Sequence, residues 1–476
     1  WCLKFGKIGV EEIDCVAFYD NGIKERLKSS FSLKNLLGCK KKIVYFSQED
    51  SYLASAFYPS CFQDAAVLVN DGSKVKTVFA RGGGNRIEIL SNHGFTHSLG
   101  VLYSAVTHYL GFKVDCDEYK IMGLSAYGKP KYRDMMIKNR HILSRPSRRF
   151  TERLLSNIFA VKPREEDAEI TTRHMDIAAS VQAVIEEEIL KQAEYLYGVT
   201  GCENICLSGS MALNCLANTK IMRQGCFKNI WIQPAAGDAG GALGAALLAW
   251  HKHLGNIRQV GTANDMMKSG FLGPFYSDND IEEFLSRERI PFSKLEYPQL
   301  PDQISDLIAM GKVVGWFQGR MEFGPRALGA RSILADSRNY NMHDRINLKV
   351  KFREPFRPLA PVVLAEKSAE YFDLGIESPY MLLVSQVKAG RREGIPAVVH
   401  IDNSSRIQTI KKETHPLYYD TIKAFYGKTG CPVVINTSFN VRGEPIVCSP
   451  EDAFRCFLQC EMDYLVMGSF LLNKRG

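Results

Sequence analysis

The sequence predicts an α/β protein of two domains, and three observations predict it. Apolar runs of strand length recur along the chain, and several end in glycine or Asx turns. The stretch Ile177 to Tyr197 carries apolar residues at 177, 181, 184, 185, 189, 193 and 196, the spacing of a long amphipathic helix. The 476 residues also exceed what one core supports, since single cores stop growing at roughly 250–300 residues.

In chain order, strands are expected at Ile43 to Phe46 and at Ala65 to Val69, the second ending at Asn70-Asp71-Gly72. Val75 to Ala80 and Ile87 to Leu90 follow as strands about the turn Gly82-Gly83-Gly84-Asn85, which makes a meander. After the long helix, Asn204 to Leu207 runs into S-G-S-M-A-L-N, a strand-to-helix turn whose backbone N–H groups are expected to face phosphate. Ile230 to Ile232 then leads into Q-P-A-A-G-D-A-G-G-A-L-G-A-A, a strand, an acidic turn at Asp238 and a small-residue helix. Residues 269–301 turn polar, so a boundary is placed between 1–268 and 269–476. Ile304 to Phe317 opens a further helix-then-strand unit, and strands are expected at Val398 to Ile401, Pro432 to Ile435 and Tyr464 to Met467.

Chemistry concentrates in the second half. From Gly319 the chain reads G-R-M-E-F-G-P-R-A-L-G-A-R-S-I-L-A-D, placing Arg320, Arg326 and Arg331 among glycines, and Lys349, Lys351, Arg353 and Arg357 follow. Guanidinium forks on a Gly/Pro-rich turn orient phosphate oxygens that lysine holds only as point charges. A solvated basic face is the competing reading of any charge run. Here Gly324, Pro325, Gly329, Pro355 and Pro358 interrupt the charges, and Phe323, Leu328, Phe352 and Phe356 point to partly buried loops. Asn436, Thr437 and Ser438 at a strand end can bond phosphoryl or acyl oxygens, or form a simple polar turn.

Composition narrows the classes. Hydrophobic content of 45%, charged content of 24% and a net charge of +8 describe an ordinary globular chain with no basic stripe, so a nucleic-acid partner is not indicated. Lys40-Lys41-Lys42 is the one run of like charge that stands out. The 13 cysteines are scattered without a C-x-x-C pair. Cys202/Cys206 and Cys456/Cys460, four apart, share a face if helical, and small buried residues in a reducing cytosol are expected. No apolar run approaches the ~20 residues of a membrane span, so no membrane partner is expected and the chain is read as cytoplasmic.

Asp71 and Asp238, each at a glycine-bearing strand end, resemble the carboxylates that the superfamily of actin, hexokinase and heat-shock chaperone ATPases presents to a metal–nucleotide; each alone also fits an Asx turn or helix cap. The whole chain resembles the NodU/CmcH carbamoyltransferase family. Its motifs are H-S-L-G-V-L-Y-S-A-V-T at 97, E-Y-K-I-M-G-L-S-A-Y-G-K-P at 118, P-A-A-G-D-A-G at 234, the arginine segment at 319, S-P-Y-M-L-L-V at 378 and N-T-S-F-N-V-R-G-E-P at 436. The resemblance implies an actin-like ATPase (TsaD-like) N-terminal domain, truncated at its start because the family's opening strand-turn unit precedes Trp1, followed by a YrdC-like α/β domain. It implies an ATP-dependent O-carbamoyltransferase. Carbamoyl phosphate and ATP give carbamoyl adenylate in the second domain, and the first domain passes the carbamoyl group to a hydroxylated small-molecule acceptor.

Carried over by motif, Arg326, Lys351, Arg357 and Arg406 match the positive catalytic positions, and Asn436, Ser438 and Arg320 match nucleotide and adenylate contacts. Gly209, Asn214 and Gly240 match the nucleotide-binding turns of the first domain, and Asp71 and Asp238 the metal carboxylates. The implied cofactors are ATP, Mg2+ and, where histidines precede the A-S-A-F segment, a transition metal such as Fe2+. This chain departs there: it reads Q-E-D-S-Y-L, so Gln48 and Tyr52 stand at the histidine positions, with Glu49 and Asp50 able to serve a harder cation. His93 and His97 form an H-x-x-x-H elsewhere. The departure, with Ser210 in place of glycine and D-N-S-S-R at 402, supports an alternative: a degenerate homologue that binds nucleotide or a protein partner without completing transfer.

Overall fold

A computed structural model describes residues 2–19, 41–72, 77–90, 98–143, 148–261 and 265–474; Lys40, Val75, His93 and His97 lie outside the described residues. The chain divides into two compact units, Trp1–Met266 and Met267–Gly476, each mixed α/β.

In the first unit β1 (Cys15–Tyr19) and β2 (Lys42–Phe46) pair in parallel. A five-stranded sheet follows, made of β3 (Asp64–Val69), β4 (Val78–Gly83), β5 (Arg86–Leu90), β6 (Asn204–Ser208) and β7 (Asn229–Ile232) in the order β5-β4-β3-β6-β7. The first three form the antiparallel meander, and β6 and β7 add in parallel. β3 reads D-A-A-V-L-V and is buried at five of six positions, the mark of a strand covered on both faces. The long helix runs Thr172–Thr200 and stops at Gly201, whose φ of 62° is the left-handed C-terminal conformation that glycine accepts most easily. Cys206 lies on β6 and Cys202 before it, so this pair does not share a helix; the described cysteines are free thiols.

Two further helices place the residues at issue. Gln48–Phe57 packs on Asp238–Leu248 so closely that a Cβ at Gly244 would come within 1.7 Å of the Ser51 carbonyl oxygen. The run of glycine and alanine in the second helix makes that approach possible. The C-terminal end of Gln48–Phe57 is pinned by Arg258, which donates to the carbonyls of Phe57 (2.8 Å), Tyr58 (3.0 Å), Ser60 (2.8 Å) and Phe62 (2.9 Å) while its guanidinium stacks on Phe57. A planar cation with five donors thus gathers the carbonyls at and just beyond the helix end.

The second unit is built on an eight-stranded sheet and a smaller pair. Its strands are β8 (Ser293–Lys294), β9 (Val314–Phe317), β10 (Arg331–Asp336), β11 (Ala360–Leu364), β12 (Val384–Gln386), β13 (Ser404–Arg406), β14 (Gln408–Ile410), β15 (Val433–Ser438), β16 (Tyr464–Met467) and β17 (Phe470–Asn473). The large sheet runs β14-β11-β15-β10-β9-β16-β17-β8, and β12 pairs with β13. Val398 to Ile401 is not a strand. Pro396 opens a 3-10 turn over Pro396–Val398, where its fixed φ suits a helical start, and Asn403 turns the chain at φ 63° before β13. Among the described residues, no helix is long and apolar enough to cross a membrane.

Candidate functional site

In the first unit the structure brings Asp71, Asp238, Tyr52 and Gln48 together. Asp71 lies two residues past the end of β3, is buried, and accepts from the Ser210 backbone N–H at 3.2 Å; Ser210 Oγ accepts from Gly72 N–H at 2.8 Å. Tyr52 donates its hydroxyl to Asp238 Oδ1 at 2.9 Å, and Gln48 Nε2 donates to the Tyr52 oxygen at 3.3 Å. Burial, followed by the negative charge of Asp71 and other interactions, pushes the Tyr52 phenol well above its ordinary range. The Tyr19 hydroxyl donates to the Asp238 carbonyl oxygen at 2.9 Å and was not singled out in the sequence.

The turn expected to face phosphate turns its donors inward. Gly209 sits at φ 86°, and a Cβ there would meet the Asn70 carbonyl oxygen at 2.2 Å. Its N–H donates to Ala236 O, Ser210 N–H to Asp71 and Met211 N–H to Asn70 O, so these three donors face the protein. Asn214 caps the helix Cys215–Gln224 through Ala217 N–H and exchanges two hydrogen bonds with Gln182. Gly240 lies in the first turn of Asp238–Leu248, where a Cβ would meet Ala235 O at 2.2 Å. Each of the three residues therefore has a local packing reason to be what it is.

In the second unit Lys351 is the centre. It is buried, and its ammonium donates to Ser438 O (2.6 Å), Ser438 Oγ (3.1 Å), Asn440 O (2.9 Å) and Asn440 Oδ1 (2.5 Å). Burial first, and then the charge of Arg353, hold its pKa well below the usual lysine range, with Arg357 adding to the effect. Arg357, also buried, pairs with Glu354 at 2.6 Å. Asn436 and Ser438 are two apart on β15 and so share a face. Asn436 Nδ2 donates to Gln408 Oε1 at 2.7 Å and to Ala327 O at 3.3 Å, which brings it beside the chain that carries Arg326. Its Oδ1 is buried with no hydrogen-bond partner. Arg406 ends β13, two residues before Gln408.

Two arginines of the basic run hold backbone. Arg320 donates to Leu272 O (2.6 Å) and Gly273 O (3.2 Å). Arg331 is fully buried, stacks 3.6 Å above the Phe317 ring and donates to the carbonyls of Gln318, Gly319 and Ala330; burial lowers its pKa to about 10. Glu322, unassigned from the sequence, is buried in the same loop and accepts through Oε1 from the N–H groups of Leu328 (2.6 Å), Ala330 (2.8 Å) and Arg331 (3.3 Å). An acid inside an arginine-rich loop was the available signal for it. Asn440, the last residue of N-T-S-F-N, carries no comparable signal in the sequence.

A transition metal does not fit the donors of the first unit. Asp238 is bonded by a phenol that is itself a donor, and that phenol by an amide, both weak ligands for such ions. Among the described residues no group of three or more His, Cys, Asp or Glu could hold a metal ion. Oxygen donors of this kind suit Mg2+.

Comparison with known proteins places these two units in one context. Residues 18–247 match the profile described as Carbamoyltransferase N-terminus, and residues 305–474 that described as Carbamoyltransferase C-terminus. An uncharacterised protein of Synechocystis sp. is 42% identical over 100% of this chain and 89% of its own length. Nodulation protein NolNO of Sinorhizobium fredii is 35% identical over 100% of this chain and 74% of that protein. Nodulation protein NolO of Bradyrhizobium diazoefficiens is 37% identical over 90% and 79%.

Proposed function

This chain belongs to the carbamoyltransferase family, and we propose that it makes carbamoyl adenylate from carbamoyl phosphate and ATP and passes the carbamoyl group to a hydroxyl of a small molecule. The second unit is read as the YrdC-like adenylating part and the first as the transferring part, working in the cytoplasm. The steps balance as follows. Water cleaves carbamoyl phosphate to carbamate and phosphate; a carbamate oxygen attacks the α-phosphorus of ATP and pyrophosphate leaves. The acceptor hydroxyl then attacks the carbamoyl carbon, AMP leaves, and the hydroxyl proton passes to a base.

The observation that carries this reading is the setting of Lys351. Its four partners are neutral oxygens, and Arg353 and Arg357 add positive charge. A phosphoryl anion stabilises such a buried ammonium, and preset cations stabilise charge developing on a transferring phosphoryl group without solvent reorganisation. The buried Asn436 Oδ1 adds an acceptor on the same strand face. Mg2+ bound with ATP would supply further charge neutralisation there; separately, in the first unit Asp71 and Asp238 are the carboxylates that would hold a Mg2+ ion of its own.

Replacing Arg326 by alanine tests the reading. Carbamoyl-phosphate-dependent release of pyrophosphate from ATP is expected to vanish in a folded variant, and undiminished release would refute the assignment. If the unaltered chain binds nucleotide but releases no pyrophosphate, the degenerate reading, which draws on Gln48 and Tyr52, takes its place.

A further inference from the structure

Gln48 and Tyr52 do more than lack a nitrogen lone pair. They lie one turn apart on the helix Gln48–Phe57, both buried, and form a directed chain: Gln48 Nε2 donates to the Tyr52 oxygen and the Tyr52 hydroxyl donates to Asp238 Oδ1. At Asp238 Oδ1 the helix thus presents a proton donor and not a lone pair. The geometry is fixed from both sides. Arg258 pins the end of the tyrosine's helix, the Gly244 contact sets that helix against Asp238–Leu248, and Tyr19 holds the Asp238 backbone oxygen at 2.9 Å. A transition-metal ion at Asp238 Oδ1 would have to displace the Tyr52 hydrogen bond, and the two side chains beside it offer only a neutral phenol and an amide.

We infer that the Asp71/Asp238 centre of this chain excludes transition-metal ions, the Tyr52 hydroxyl standing where a metal ligand would, and that any ion it takes is a hard, oxygen-ligated one such as Mg2+. The inference deepens the reading of the first unit as the transferring part and rests on it only for that centre's purpose.

The test is a titration of the full chain with one equivalent of Co2+ in excess Mg2+, read by ligand-field absorption. Excess Mg2+ displaces cobalt held at an ordinary oxygen site. The comparison is between the unaltered chain and Asp238→Asn, so that cobalt bound to thiols elsewhere cancels. No Asp238-dependent band is expected in the unaltered chain; a band that survives Mg2+ and disappears in Asp238→Asn overturns the inference. The double variant Gln48→His/Tyr52→His, which puts two imidazoles on the same helix face, is expected to gain that band. The result on the unaltered chain decides the matter even if the double variant does not fold. Pyrophosphate release plays no part in this readout, so the adenylation reading can stand or fall separately.

Discussion

Glu322 gives the sharpest test of how the arginine loop is built. Its Oε1 accepts from three backbone N–H groups, at Leu328, Ala330 and Arg331, at 2.6, 2.8 and 3.3 Å. Glu322→Ala leaves those donors buried and unpaired and removes a negative charge close to the buried Arg331 guanidinium. Each unsatisfied donor costs about 1–3 kcal/mol. Part of the loss is offset, because Glu322 Oε2 is itself buried with no hydrogen-bond partner, so the carboxylate bears a desolvation cost that alanine relieves. A net destabilisation of about 3–5 kcal/mol is expected for alanine, and about 1–2 kcal/mol for glutamine, which keeps an acceptor but not the charge. Trp316 reports on this region, since its indole donates to Gly329 O at 2.6 Å, and it is the single tryptophan of residues 267–476. The assay is urea unfolding followed by Trp316 fluorescence with the other tryptophans replaced by phenylalanine. An alanine variant within about 0.5 kcal/mol of its parent would refute the account of the loop.

Two further outcomes are expected. His415 caps the helix Pro416–Thr429 through Tyr418 N–H, and burial lowers its pKa to about 4. Because the unfolded chain takes up this proton near pH 6.5 and the folded one does not, stability present above pH 6.5 is lost as pH falls toward 4, by at most about 3 kcal/mol. His415→Asn keeps a capping oxygen without the titration, so the pH profile of its melting temperature is expected to be flatter; an unchanged slope would count against the assignment. Gly244→Ala forces the helices Gln48–Phe57 and Asp238–Leu248 apart and is expected to cost about 1–3 kcal/mol in thermal unfolding; an unaffected melt would show that the close approach is not required.

The strands and the long helix were legible because their signals are local: β3 and β6 are buried apolar runs bounded by turns, and Thr172–Thr200 repeats with a helical period. The strand expected at Val398 to Ile401 failed because Pro396 decides the local conformation. Residue types also gave the candidate residues of the second unit, but not their division of labour. Arg331 and Lys351 look alike as cations in a basic run; only the packing shows one stacked on Phe317 and bonded to carbonyls, and the other held by Ser438 and Asn440. The Tyr52–Asp238 bond joins residues 186 apart in sequence, a distance across which no periodicity carries information.

Carbamoyl adenylate is the product proposed for the second unit. A single turnover of excess protein with ATP, Mg2+ and carbamoyl phosphate, quenched and examined by mass spectrometry, tests it most directly. Carbamoyl adenylate appearing with pyrophosphate, and only when carbamoyl phosphate is present, is the predicted result. Consumption of carbamoyl phosphate with ATP left intact and no adenylate formed would contradict it.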